Sequence, residues 1–182
     1  MNDVSGAGEG KADQWIHEAL GEHERSLMRY ATGLLHGDLE RARDVVQESF
    51  LQLCKQDHRK VAGHVGEWLF RVCRNQALDV QRKERRMTHL SEETETSPAC
   101  TSPPGADLER ADELERVMGA LQGLPVKQQE ALRLKFQHGH SYKEIARITE
   151  ATVGTVGWLI HEGIQALRGR LTMQDHKKGA KA

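Results

Sequence analysis

Apolar residues recur along the chain at steps of three and four and do not alternate over any strand-length stretch, so the pattern predicts helices throughout. Ile16, Leu20, Leu27, Ala31 and Leu34 share one face of a helix expected over 12–36. Gly37 and Asp38 break it, and the Asp38 carboxylate can accept from the first unpaired N–H groups of a second helix. That second helix, expected over 39–55, turns Ala42, Val45, Val46, Phe50, Leu53 and Cys54 inward. Residues 56–66 are polar, contain Gly63 and Gly66, and read as a loop. A third helix over 67–86 buries Leu69, Val72, Cys73, Gln76, Ala77 and Val80, and its C-terminal part is almost wholly charged.

Between 87 and 106 no period survives. The segment holds three of the chain's four prolines and a Ser/Thr/Glu cluster, and reads as a flexible linker. Helical spacing resumes over 107–122 with Leu108, Leu114, Val117 and Leu121. Leu124-Pro125 opens a helix carrying Ala131, Leu132, Leu134 and Phe136, which stops at the turn Gln137 to His140. Ser141-Tyr142-Lys143-Glu144 is a capping box that opens a short helix over 142–149 with Ile145, Ala146 and Ile148 inward. Thr152 caps a last helix over 153–171 whose inward set is Val153, Val156, Ile160, Ile164, Leu167 and Leu171. The expected fold is all-α: a helical domain over 12–86, a linker over 87–107, a second helical domain over 108–171 and a basic tail over 172–182.

Charge sharpens this picture. The net charge of −1 over 182 residues argues at first against a nucleic-acid partner, but it is segregated. Residues 1–70 carry −4, 71–86 carry +4, 87–115 carry −7, 116–170 carry +4 and the tail carries +2. Two basic blocks flanking an acidic middle suit two nucleic-acid contacts joined by a segment that avoids phosphates. Taken one at a time, each block reads better as the solvated face of a helix. The N-terminus has acids and glycines where a secretion signal needs basic and apolar runs, and no apolar run nears the ~20 residues of a membrane span, so a cytoplasmic protein is expected. Cys54, Cys73 and Cys100 are widely spaced and read as reduced thiols. His138-x-His140 and Cys54-x3-His58 lack a second ligand pair at zinc-motif spacing, and no nucleophile elbow, phosphate loop or His-Glu-x2-His occurs. No metal, cofactor or catalytic activity is expected.

A short helix, a turn at Glu150-Ala151 and a longer helix capped by Thr152 have the shape of a helix-turn-helix, with small Ala146 where the two helices would cross. Order and spacing then add a family resemblance. Leu35-x2-Asp38-x5-Asp44-Val-Val-Gln-Glu-Ser-Phe-Leu-Gln-Leu, followed by Glu67-Trp-Leu-Phe-Arg-Val-Cys-Arg-Asn-Gln-Ala-Leu-Asp79 and a basic run, resembles region 2 of the sigma-70 family. Leu124-Pro125-x2-Gln128-x-Glu130-Ala-Leu132, Ser141-Tyr142-x-Glu144-Ile-Ala146 and Val153-Gly-Thr-Val156 resemble region 4. Two domains without others resemble the extracytoplasmic-function (ECF) group of RNA polymerase sigma factors.

That resemblance implies a protein that binds core RNA polymerase and directs transcription initiation, the chemistry belonging to the polymerase. It implies docking of the second helix on a coiled coil of the largest polymerase subunit through Asp44, Gln47, Glu48, Phe50 and Gln52. It implies contact with the −10 promoter element through His64, Trp68, Arg71, Arg74, Asn75, Arg82, Lys83, Arg85 and Arg86. By its own pattern Trp68 reads as core rather than as a stacking surface. At the −35 element the resemblance implies Ser141, Tyr142, Lys143, Thr152, Thr155, Gly157, Trp158, His161 and Glu162. An anti-sigma partner is also implied.

The sequence departs from the family in two places. Arg59 to Gly66 replaces the family's Phe-Arg-Gly-like loop, so −10 base choice does not carry over. The last helix has Gly157, Leu159 and Glu162 where cations are usual, and no Lys or Arg between 152 and 167. The expected readout there uses Gly157 for close backbone approach, Trp158 on thymine methyls or sugar, and His161 or Glu162 on a base edge. The competing readings are a dimeric helix-turn-helix regulator of another kind, which leaves Asp44–Leu53 and Arg71–Arg86 without a joint explanation, and a sigma-like adaptor that no longer reads promoters.

Overall fold

The computed structural model describes residues 6–88 and 116–179, with side chains over 14–87 and 116–173. The chain divides into two compact units, residues 1–98 and 99–182. The described residues are helical and contain no strand. The expected linker over 87–107 lies outside them except for its first two residues, as does Cys100.

In the first unit, α1 (Gly6–Leu34), α2 (Leu39–Cys54) and α4 (Val65–Thr88) pack around Leu27, Tyr30, Ala31, Leu53, Leu69, Cys73 and Ala77. Positive φ at His36 (54°) and Gly37 (91°) ends α1, and the Asp38 carboxylate then accepts from Arg41 N at 3.0 Å to open α2. α4 secures both ends of this corner. Gln81 Nε2 donates to the Leu34 carbonyl, and the Arg41 guanidinium pairs with Glu84 as well as with Asp38.

Several expectations change. α1 begins at Gly6, α4 at Val65. Leu20 is more than one-third exposed, and Cys54 faces solvent. The expected 56–66 loop contains a one-turn helix, α3 (His58–Val61). Asp57 caps it by accepting from Arg59 N at 3.0 Å, and Val61 buries its side chain, so a polar stretch is anchored at both ends. Phe70, absent from the expected stripe, is buried with its ring 5.1 Å from that of Tyr30. Burial pushes the Cys73 thiol up to about 12, with an opposing effect from the Ser49 hydroxyl, so it stays protonated and inert.

The second unit holds α5 (residues 116–122), α6 (Val126–Phe136), α7 (Tyr142–Thr149) and α8 (Val153–Gly179). α6 and α7 both pack on α8 around Leu134, Ile145, Ile148, Val156 and Ile160. Phe136 and Val153, expected inward, are 65% and 45% exposed, because each lies at a helix end beyond the reach of its neighbour. Gly163 is buried: a Cβ there would sit 3.0 Å from Leu132 Cδ1 and 3.3 Å from Leu132 Cγ. The missing side chain lets α8 approach α6.

α7 ends on Glu150, whose φ of 56° and ψ of 37° are left-handed. A side chain with a Cβ costs roughly 1 kcal/mol there relative to glycine. Glu150→Gly is therefore expected to stabilise the second unit by about 0.5–1 kcal/mol, read as a rise in its urea midpoint. A fall would show that the Glu150 side chain contributes more than its backbone costs.

Candidate functional site

Three surfaces collect the candidate residues. The first is on α2. Asp44, Gln47 and Glu48 are exposed, opposite buried Ala42, Val45, Val46, Ser49 and Leu53. With Glu40 the acids form a row at i, i+4 and i+8, like charges on one helix face. Such pairs disfavour the helix by about 0.2–0.5 kcal/mol each. Glu40 is compensated by Arg43 at 3.0 Å. The row is thus a feature the isolated fold gains nothing from. Phe50 corrects the expectation: it is 7% exposed and belongs to the core. The exposed apolar residue beside the row is Leu51, which follows Gln47 by four and Glu48 by three. Periodicity set Phe50 inward and left Leu51 out of the inward set, as found; it was the family resemblance that placed Phe50 at the interface. Gln52 is half-buried. Next to this face an open groove of about 290 Å³ runs between α1 and α2, lined by Leu20, Met28, Val46, Phe50, Leu51 and Cys54 among others.

The second surface is α4 with the segment before it. Arg71, Asn75, Arg82 and Arg86 recur at steps of four and seven residues on one exposed face, flanked by Lys83 and Arg85. Asp79 lies in the same face and pairs with Arg82 at 2.7 Å. Arg74 and Trp68 are half-buried, and His64 is exposed. Trp68 is thus neither full core nor an open platform. The face is cationic and runs along several turns, the arrangement that tracks a phosphate backbone.

The third is the helix-turn-helix. Ser141 caps α7, its hydroxyl accepting from Glu144 N at 3.3 Å, while the Glu144 carboxylate accepts from Ser141 N. The Ser141 N–H holds the Glu144 carboxyl below the usual range, with smaller help from His140 and Arg147. A lowered value means that this cap contributes above the ordinary carboxylate range and is lost as pH falls through the lowered one. Thr152 caps α8 by accepting from Thr155 N at 3.1 Å, and the two hydroxyls share a 2.8 Å hydrogen bond. Thr155 is therefore tied to the cap.

Trp158 is 59% exposed, and His161 and Glu162 are exposed near it in sequence. Gly157 is not an open approach: a Cβ there would stand 3.8 Å from the Tyr142 ring, which covers that side of α8. The Tyr142 ring also lies 5.6 Å from Lys135 Nζ. Lys143 and Arg147 are exposed one turn apart on α7, whereas α8 carries no Lys or Arg before Arg168, so the cations nearest the turn of this motif stand on α7. Arg147 and Lys135 were not singled out by sequence pattern. Their signal was the four-residue step from Lys143 for the first, and none for the second.

No helix of the described residues is long and apolar enough to cross a membrane, and among them no group of three or more His, Cys, Asp or Glu is placed to hold a metal.

Residues 20–87 match the family description sigma-70 region 2, and residues 114–167 match sigma-70, region 4. The chain is 30% identical over 179 residues to the ECF RNA polymerase sigma factor SigL of Mycobacterium tuberculosis, covering 96% of this chain and 97% of that one. It is 37% identical over 134 residues to the ECF RNA polymerase sigma factor EcfG of Rhodopseudomonas palustris, covering 72% and 71%. In fold it is similar to the sigma factor RpoE of Bartonella quintana, solved in complex with the anti-sigma factor NepR, with a TM-score of 0.70 at 24% identity, over 88% of this chain and 96% of that one. An acidic helix face, a cationic helix face and a helix-turn-helix thus stand on a chain whose sequence matches region 2 and region 4 in order, and the chain belongs to the sigma-70 family, in its ECF group of RNA polymerase sigma factors.

Proposed function

We propose that α2 docks this sigma factor on core RNA polymerase, that α4 and the segment 56–66 take the melted −10 element, and that α7 and α8 take the −35 element. The observation that carries the reading is the separation of charge within the first unit: an acidic row on α2 and a cationic face on α4. One protein partner and one nucleic-acid partner account for both. A regulator that only bound operators through its helix-turn-helix would leave the acidic row unused. The protein works in the cytoplasm, with the polymerase, and catalyses nothing itself. The reading also includes an anti-sigma partner, a class of protein that RpoE of Bartonella quintana was solved with.

At the −35 element the division of labour is between helices. Lys143 of α7 meets phosphate, while α8 offers Trp158 to thymine methyls and His161 or Glu162 to base edges; a carboxylate accepts from the cytosine amino group. A base contact is worth ~1–3 kcal/mol. Trp158→Ala and His161→Ala are expected to weaken −35 protection about tenfold or more in footprints of the holoenzyme, and unchanged protection and base preference in both would overturn direct readout by α8. Run-off transcription with purified core polymerase tests the whole reading. A chain that neither binds core nor starts transcripts would refute it, even if it bound DNA.

A further inference from the structure

α4 outlasts its own core. Ala77 is its last buried residue, Val80 is half-buried, and Arg82, Lys83, Arg85, Arg86 and Met87 are exposed. Apolar packing therefore stops short of the basic end of this helix. Two polar contacts take over, from side chains three residues apart and so on one side of α4. Gln81 Nε2 donates to the Leu34 carbonyl, and the Glu84 carboxylate pairs with the Arg41 guanidinium. Arg41 is itself held: its Nε lies 3.2 Å from Asp38 Oδ2, on the side chain that caps α2. Glu84 is the one carboxylate in the run Arg82-Lys83-Glu84-Arg85-Arg86. Unpaired, it would repel the phosphates that its four neighbours attract. Arg41 precedes Asp44 by three residues and Glu48 by seven, so it shares α2 with the docking acids. With side chains 51% and 36% exposed, the Arg41–Glu84 pair adds little to folding.

We propose that Arg41 is a positioning residue for promoter binding. Its pairing with Glu84 braces the basic end of α4 against α2 and neutralises the carboxylate that stands among the DNA-facing cations. This rests on the reading that α4 takes −10 DNA. Because α2 also carries the docking acids, a polymerase that holds α2 fixes these cations with it. A cation already placed loses less conformational freedom on meeting a phosphate, so more of the contact free energy is retained in the complex.

The test uses holoenzyme assembled from core polymerase and the full chain, on a promoter fragment selected with the wild-type holoenzyme. Promoter affinity is measured by fluorescence anisotropy over a series of salt concentrations, beside core binding and melting temperature. Arg41→Ala keeps the backbone N–H that donates to Asp38, so the cap of α2 survives. It is expected to weaken promoter binding about tenfold at unchanged core binding and melting temperature. The slope of log K against log salt should shrink by about one, the loss of one phosphate contact. Arg41→Lys, which keeps the charge, should recover most of the affinity. Glu84→Gln removes the carboxylate together with the pair and should cost about threefold; added to Arg41→Ala, it should bring that variant back to the same threefold, because the two residues act as one unit. Wild-type promoter affinity in Arg41→Ala refutes the brace. So does a loss that tracks a lower melting temperature or weaker core binding, a failure of Arg41→Lys to recover, or losses that add in the double variant. Arg82→Ala with Arg86→Ala separates the underlying reading: a loss there with no effect at Arg41 overturns only the brace, and no loss there overturns the −10 reading itself.

Discussion

Replacing Asp44 and Glu48 together by Arg is expected to abolish run-off transcription and to weaken binding of core polymerase by at least about 100-fold. Both side chains are exposed on the same face of α2, one helical turn apart, and neither touches the core. Truncating one member of a close interfacial charge pair costs about 2–5 kcal/mol, and reversal adds repulsion. The fold is indifferent to the exchange. Asp44 and Glu48 already repel at i, i+4, and two arginines repel about as much. Arg is also a better helix former than Asp. Far-ultraviolet circular dichroism and melting temperature should therefore stay near wild type while pull-down of core fails. Retained core binding would remove α2 as the docking face. The neighbouring residues sharpen the result. Leu51→Ala should weaken binding, because Leu51 is 47% exposed beside the acids, whereas Phe50→Ala should lower the melting temperature, because Phe50 is in the core.

Gly163→Leu is expected to destabilise the second unit by up to about 2 kcal/mol. A Cβ at this position already stands 3.0 Å from Leu132 Cδ1 and 3.5 Å from Gln128 Cβ, and leucine adds three further carbons to a filled contact. Overpacking of this kind costs ~1–3 kcal/mol, against the ~1 kcal/mol that helix propensity returns when glycine is replaced. Gly157→Ala makes the contrast. Its Cβ would meet Tyr142 at an ordinary 3.8 Å, so propensity dominates and the unit should gain up to about 1 kcal/mol. Urea unfolding of the two variants should move the midpoint of the second unit in opposite directions. In footprints of holoenzyme, Gly163→Leu should lose −35 protection. Shifts of the same sign in both variants would show that α8 does not cross α6 at Gly163 as tightly as its geometry implies.

These two glycines show how far the sequence reaches. Six residues apart in one helix, they look alike as pattern: each costs the helix propensity, and the close approach to DNA was expected at Gly157. The close approach exists at Gly163, but its object is Leu132 of α6, and at Gly157 the neighbour is Tyr142. Cys54, read as inward and found at the surface, makes the same point on α2. Period 3.6 fixes the angle of each side chain around its own axis, but which part of a broad apolar arc is covered depends on where α1 and α4 lie. Leu20, Cys54, Phe136 and Val153, read as inward and found exposed, fall at the margins of such arcs or at helix ends.

The local grammar needed no tertiary help. The Asp38 cap, the Ser141–Glu144 box, the Thr152 cap, the turn at Glu150 and the exposure of Arg71, Arg82 and Arg86 all come from residues within one or two turns of each other, because caps and helix faces are short-range effects. The family signature is legible for the same reason, being carried by contiguous motifs. Contacts between distant segments were not legible. Trp15 meets His58, Gln81 reaches the Leu34 carbonyl and Arg41 pairs with Glu84, each across more than 40 residues. By itself the sequence determined an all-α chain of two helical regions, its caps, its segregated charge and its family. Only the tertiary structure decided which apolar residues are surface, why Gly163 is glycine, and that α1 meets the 56–66 segment at His58, because helix packing brings together side chains whose separation along the chain carries no period to read.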